Sequence, residues 1–279
     1  MNIRTFEDMN HTIIQNLPKI PRDVDLIVGI PKSGMLPATL MALYLDKPLT
    51  DIDSFINNRV YSSGQYHETL SGEIKDGWKV LFVDDTSGTG REMARVQEKA
   101  GPMIKEKNLT ALYAAVYTTK KTYKIVDFSF ERVPGPRVTE WNVMRHFKHL
   151  AKSCIDIDGV LCRNPTTEER GDSEKYLNFL KTAEPMFLPR NKVAYLVTCR
   201  REKYRKETEE WLQRHGVEYG KLLMLNRPEY NQKTCIQFKV KVYRKTDTIL
   251  FIESNAKKSE AIAKLTGKPV FCIDNHKVY

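Results

Sequence analysis

No apolar run in this 279-residue chain approaches the length of a membrane span, and its amino terminus has no signal-peptide core. Neither a spanning helix nor export is expected. A cytoplasmic location is, with peripheral attachment at the inner membrane face as a further expectation. Cysteine is sparse: Cys154, Cys162, Cys199, Cys235 and Cys272 stand apart without CxxC spacing, so they read as reduced thiols in or near strands. The six histidines are equally scattered and form neither a zinc cluster nor a Ser/His/Asp constellation. Internal repeats, low-complexity tracts, a recognition-helix signature and aromatic–basic repeats are all missing. Without them the net charge of +10 gives no reason to expect nucleic acid as a partner. The excess Lys and Arg then reads as solvated basic faces, or as attraction for a polyanionic substrate or an anionic membrane surface.

What the chain does contain is two short acidic motifs, each placed after an apolar run that reads as a buried strand. The first, VLFVDDTSGTGRE at 80–92, sets Asp84 and Asp85 at a strand end, followed by a small-residue turn over 86–90 and a helix from about Arg91. In such a turn, backbone N–H groups and the hydroxyls of Thr86, Ser87 and Thr89 converge near a positive helix terminus, which suits a phosphate monoester. The two carboxylates repel that phosphate and suit a neighbouring polyol or a cation instead. A phosphate beside a diol describes ribose 5-phosphate.

Residues 80–92 resemble the loop of the type I phosphoribosyltransferases that binds 5-phosphoribosyl-1-pyrophosphate (PRPP). The resemblance implies that Asp84 and Asp85 hold the ribose hydroxyls and that Thr86, Ser87, Gly88, Thr89 and Gly90 wrap the 5-phosphate. It also implies that the turn at 31–34, between a strand and an apolar helix in DLIVGIPKSGMLPATLMALYL, receives the pyrophosphate through Lys32, Ser33 and Gly34. The polar stretch 57–77, with Arg59, Tyr61, Ser62, Ser63, Gly64, Tyr66 and His67, reads either as a surface loop or as the lid that family members close over PRPP. The implied chemistry is displacement of pyrophosphate at the anomeric carbon, with Mg2+ bridging leaving-group and ribose oxygens. Some members place an acid within the turn as general base for a purine; here that position is Gly88, which weakens a purine-salvage reading. Asp51 and Asp53 could reach the site, although alternate acids at a strand end are more often exposed.

The second motif, CIDIDGVL at 154–161, places Asp156 and Asp158 two residues apart at the end of a strand expected over 153–157. Two carboxylates at a strand tip can bind Mg2+ while one attacks phosphorus and the other moves a proton. The DxDGV string resembles the phosphatases of the haloacid dehalogenase (HAD) superfamily. That resemblance makes Asp156 the nucleophile, Asp158 the acid and base, Thr198 the phosphate-binding hydroxyl and Lys239 the steadying lysine, with Lys233, Lys241 and Lys245 as rivals. It implies Mg2+ at Asp156, Asp158 and Glu253, the last standing where an Asp pair is commoner. The run 239–245 also alternates with period two, as a strand with one wet face would.

Strands alternating with helical patterns, such as 202–215 and 257–265, predict an α/β protein of two domains, each a mainly parallel sheet flanked by helices. The expected boundary gives a phosphoribosyltransferase domain at 1–150 and a HAD-like phosphatase domain at 151–279, joined through a helix at 141–150. A transferase that leaves a 5-phosphate on its product, followed by a phosphatase, resembles the tandem modules of bacterial ribofuranosyl transfer. That implies a bifunctional enzyme: PRPP as donor, a glycan or lipid-linked glycan hydroxyl of surface-polysaccharide synthesis as acceptor, and a β-ribofuranose product. Glu140, Trp141 and Asn142 are candidate acceptor contacts, or a packed interdomain tryptophan with exposed flanks. The alternatives are a nucleobase phosphoribosyltransferase with nucleotide 5-phosphatase, and a PRPP sensor without turnover.

Overall fold

The computed structural model describes residues 1–61, 72–226 and 231–279. Ser62, Ser63, Gly64, Tyr66 and His67 of the expected lid lie outside them. The chain divides into two compact units, one of Asn2 and Arg4–Arg137, the other of Met1, Ile3 and Val138–Tyr279. The division follows Arg137 instead of residue 150 because Val138, Val143 and Leu150 are buried in the carboxy-terminal core.

The amino-terminal unit contains β1 (Asn2–Arg4), α1 (Phe6–Asn16), β2 (Leu26–Gly29), α2 (Met35–Leu45), β3 (Leu49–Asp51), α3 (Ile52–Phe55), β4 (Lys79–Ser87), α4 (Arg91–Glu106), β5 (Thr110–Thr118) and β6 (Phe128–Arg132). Five strands form a parallel sheet in the order β3-β2-β4-β5-β6. Val80 to Val83 are fully buried, as a central strand covered on both faces requires. Chain order reverses between β2 and β4, so a crevice opens beyond their carboxyl ends. Both loops read as phosphate-binding therefore emerge side by side.

β7 (Arg137–Thr139) begins on the last residue of the amino-terminal unit, and the carboxy-terminal unit continues with α5 (Phe147–Leu150), β8 (Ser153–Ile155), α6 (Thr167–Gly171), α7 (Ser173–Thr182), β9 (Val193–Arg201), α8 (Arg205–Arg214), β10 (Tyr219–Leu225), α9 (Gln232–Lys245), β11 (Leu250–Glu253), α10 (Ala256–Thr266), β12 (Val270–Cys272) and β13 (Lys277–Val278). The six-stranded sheet runs β10-β9-β8-β11-β12-β13, parallel except for the β12–β13 pair. Here the order reverses between β8 and β11, which brings Asp156 and Glu253 to neighbouring strand ends.

Two sequence expectations fail. Residues 239–245 belong to helix α9, not to a strand: Asn231 and Thr234 form a capping box, and the buried Cys235, Lys239, Val240 and Tyr243 follow helical spacing. The helix expected over 141–150 is broken into a 3₁₀ turn (Glu140–Asn142) and α5. Local hydrogen bonds compete there, since the Asn142 amide donates to the Thr139 hydroxyl at 3.1 Å. Among the described residues no helix is long and apolar enough to cross a membrane.

Candidate functional site

In the amino-terminal unit, β4 extends further than expected and carries Thr86 and Ser87, paired with Tyr117 and Thr118, so the turn is confined to Gly88–Gly90. Gly90 caps α4 at φ +78° and turns the chain so that the first N–H groups of the helix stand at the crevice. The Thr86 and Ser87 hydroxyls are buried with no hydrogen-bond partner among the described residues, and as consecutive residues of a strand they face opposite sides of the sheet.

The loop after β2 contains the Pro31–Lys32 peptide, which is cis. Its Ser33 hydroxyl donates to Asp85 Oδ1 at 2.7 Å, tying together segments 52 residues apart. Gly34 lies so close to β4 that a Cβ there would fall 2.5 Å from the Ile30 carbonyl oxygen, 2.8 Å from that of Val83 and 3.0 Å from Asp84 Oδ1. Only glycine permits this approach. Asp84 and Asp85 are both buried at the strand end, and Asp84 Oδ1 accepts the Asp85 N–H at 2.9 Å. Burial, followed by the neighbouring Asp85 charge, pushes the Asp84 carboxyl up to about 8. Such a pair fits a ribose diol, to which a protonated carboxyl can donate, or a cation that relieves the repulsion. The expected Mg2+ would thus find two carboxylates here to supplement PRPP's own oxygens.

Asp51 and Asp53 have structural work. Asp51 caps α3, accepting from the Asp53 and Ser54 N–H groups at 2.7 and 3.0 Å, and Asp53 pairs with Lys99. Burial alone would raise Asp51, but hydrogen bonds from Tyr61, Ser54 and the backbone outweigh it and hold its carboxyl at about 2.

In the carboxy-terminal unit, β8 ends at Ile155, leaving Asp156 and Asp158 just beyond the strand. Of the four candidate lysines, Lys239 is the one brought in. Its fully buried Nζ donates to Asp156 Oδ2 and to Glu253 Oε2, each at 2.5 Å. Burial opposes the ammonium, but Asp156 and Glu253 outweigh that effect and hold Lys239 well above its ordinary range. Burial likewise pushes Glu253 up, and the charges of Lys239 and Lys258 reverse the shift downward. For Asp156 burial wins against Lys239, and its carboxyl rises to about 7. Thr198 is fully buried within β9 and accepts from the Arg200 N–H at 3.2 Å. A cavity of about 660 Å³ lies alongside, lined by Cys235, Ser254, Asn255, Lys258, Asn164 and Arg170.

Two arrangements differ from expectation. Asp156, Asp158 and Glu253 do not converge as a three-carboxylate metal set, and among the described residues no group of three or more His, Cys, Asp or Glu side chains is arranged to hold a metal. The physical reason is that cations stand among them: Lys239 engages Asp156 and Glu253, and Arg200 donates to Asp158 Oδ1 from Nε at 3.0 Å and Nη2 at 2.7 Å. As the structure stands, these acids are salt-bridged to Lys239 and Arg200. Glu140, Trp141 and Asn142 belong to the carboxy-terminal unit, not to the unit bearing the Asp84–Asp85 turn, and Glu140 bonds His276 at 2.5 Å.

Arg200 and Arg137 are two residues that the sequence motifs do not mark. An arginine inside the apolar strand VAYLVTCRR was a legible signal, because a buried guanidinium needs an acid. Arg137 carried no comparable mark. Its Nη1 donates to the Thr118 and Val133 carbonyls at 3.2 and 3.1 Å.

Residues 3–134 match the model of the phosphoribosyl transferase domain. Over 109 residues the chain is 30% identical to the adenine phosphoribosyltransferase of Mesomycoplasma hyopneumoniae strain 7448, covering 34% of this chain and 63% of that protein. The strain 232 protein matches with the same figures. The chain thus spans less than two thirds of the length of these curated relatives. Among solved structures, the purine phosphoribosyltransferase of Pyrococcus horikoshii Ot3 shares 21% identity over 50% of this chain and 94% of that one, with a TM-score of 0.38. For the orotate phosphoribosyltransferase of Aeropyrum pernix the figures are 18% identity, 46% and 70% coverage and a TM-score of 0.34.

Proposed function

From an amino-terminal half that is a type I phosphoribosyltransferase domain, we propose that this chain transfers 5-phosphoribosyl from PRPP to a glycan hydroxyl and then removes the 5-phosphate, leaving β-ribofuranose. The observation that carries the first step is the Ser33–Asp85 hydrogen bond, which joins the pyrophosphate-side loop to the ribose-side acids. Asp84 and Asp85 receive the ribose hydroxyls. The N–H groups entering α4, with one of the unpartnered Thr86 and Ser87 hydroxyls, receive the 5-phosphate. Lys32 and the close backbone at Gly34 serve the pyrophosphate. Mg2+, when bound with PRPP, supplies charge neutralisation for the leaving group.

The second step rests on Asp156, Lys239 and Glu253 at the β8/β11 reversal, and on this reading the carboxy-terminal unit is a HAD-like phosphomonoesterase. Asp156 attacks phosphorus, Thr198 and Lys239 hold the phosphoryl group, and Asp158, oriented by Arg200, moves the proton. The glycan acceptor is favoured by the pairing of the two chemistries in one chain, and the net charge of +10 suits a lipid-linked acceptor at an anionic membrane surface.

A nucleobase acceptor coupled to nucleotide dephosphorylation is the second reading, favoured by the likeness to adenine phosphoribosyltransferases over 109 residues. The glycine at position 88, where a purine's general base is expected, counts against it. Mass spectrometry of the protein incubated with Mg2+, PRPP and glycan or nucleobase acceptors separates the readings, with Asp156→Asn run beside wild type. A ribosyl addition by wild type and a phosphoribosyl addition by the variant, on a glycan, is expected. Additions to bases alone would favour nucleotide metabolism, and PRPP binding without turnover would indicate a sensor.

A further inference from the structure

The turn of the amino-terminal unit offers no carboxylate at position 88, and the side chain nearest that position is a cation. A Cβ built on Gly88 would lie 3.3 Å from Arg137 Nη2. The guanidinium is fixed from behind: Nη1 donates to the Thr118 carbonyl at the end of β5 and to the Val133 carbonyl, and Val133 N–H itself bonds Thr118 O at 2.9 Å. Half buried, Arg137 makes no ion pair with a carboxylate among the described residues. Burial lowers its pKa, with Asp85 as the opposing charge, but a guanidinium keeps its proton at neutral pH. A preorganised cation with an open Nη2 donor therefore stands beside the acids expected to hold the ribose.

We infer that Arg137 is the specificity-determining residue on the acceptor side, and that it selects a sugar bearing a carboxylate or phosphate close to the reacting hydroxyl. This deepens the proposed transfer and rests on it. Position 88 is where the family resemblance puts, in some members, the acid that takes a purine's proton; here Gly88 stands beside a guanidinium, which binds anions and accepts no proton. The acidic group docks on Nη2, and the neighbouring hydroxyl forms the new C1–O bond as the C1–pyrophosphate bond breaks. The electron pair departs with pyrophosphate, which also takes the hydroxyl proton. Neutral sugars and bases leave Nη2 without an anionic partner and lose one charge-assisted bond.

The test uses the full chain with Mg2+ and PRPP, and a panel of uronic-acid and sugar-phosphate oligosaccharides, each matched by its methyl ester or dephosphorylated counterpart. Phosphoribosyl or ribosyl addition is read by mass spectrometry, and ribose 5-phosphate binding by calorimetry. Wild type is expected to modify acidic members in preference to their neutral counterparts. Arg137→Met should raise the acceptor KM about tenfold or more while ribose 5-phosphate affinity stays within about twofold, and Arg137→Lys should recover part of the loss. Equal use of neutral partners overturns the inference, as does an unchanged acceptor KM in Arg137→Met, or a wild type that binds ribose 5-phosphate yet modifies no acidic member. Loss of ribose 5-phosphate affinity in Arg137→Met would reassign the residue to the donor phosphate. Failure of wild type to bind ribose 5-phosphate or PRPP would instead remove the transferase reading itself. Thermal melts, with Arg137→Gln as a second variant, separate misfolding from lost recognition.

Discussion

The Ser33 hydroxyl donates to Asp85 Oδ1 at 2.7 Å, so the turn after β2 and the acids within β4 are held as one site although 52 residues separate them. A hydrogen bond to a charged group contributes about 1.5–3 kcal/mol. Ser33→Ala should therefore weaken ribose 5-phosphate and PRPP binding by roughly tenfold or more, because Asp85 loses its orientation. Melting temperature should fall as well, since the buried Asp85 carboxylate is left without its Ser33 donor. Isothermal titration beside a thermal melt checks this; unchanged PRPP affinity would show that Asp85 is positioned without Ser33.

Asp84 poses the opposite case, a residue whose charge opposes folding. Burial and the Asp85 charge raise its folded carboxyl to about 8, above the unfolded value near 3.9. Its stabilising contribution is complete below the unfolded pKa and is lost as pH rises toward 8. Asp84→Asn should thus melt above wild type at pH 8, with the advantage shrinking toward pH 4, while PRPP use falls. A pH series of thermal melts gives the sign, and a variant less stable than wild type at pH 8 would show that the Asp84 charge is neutralised in the apo protein.

What could be read from the chain followed the range of the interactions. β4 and the acids within it were legible because a buried parallel strand and its turn are encoded within one short segment. Lys239 bonds Asp156 from within an element whose local pattern misleads: KVKVYRK alternates with period two, and only the capping box at Asn231 and Thr234 sets the helical period. The transferase end was expected near residue 150, but Val138, Val143 and Leu150 choose the other core, a matter of tertiary packing that local pattern does not carry. Arg137 depends on two carbonyls and a glycine from separate segments, so neither its pinning nor its approach to Gly88 had a local signature.

Among the described residues, Lys239 is the sole cation bonded to both buried acids at the β8/β11 end. Removing one partner of a buried pair costs about 3–5 kcal/mol. Lys239→Met should lower stability by that order, and more at pH 8 than at pH 6, because the stranded Asp156 and Glu253 can be accommodated by protonation only as pH falls. Urea titrations at the two pH values test this; equal losses would place the ammonium's contribution in packing instead of charge.

If Asp156 is the nucleophile of the proposed phosphatase step, phosphate release should depend on its protonation, because only the carboxylate attacks phosphorus. Burial, opposed by Lys239, sets that group at about 7. Below this value kcat/KM for ribose 5-phosphate hydrolysis should fall about tenfold per pH unit, and above pH 8 it should level off. The substrate's own second phosphate ionisation, near pH 6, would bend the profile lower down, so the break expected from Asp156 is distinguishable from it. Asp156→Asn should remove the activity at every pH. A wild-type profile flat from pH 6.5 to 8 would mean that Lys239 outweighs burial and keeps the nucleophile ionised throughout, with Glu253 carrying the proton of the triad instead.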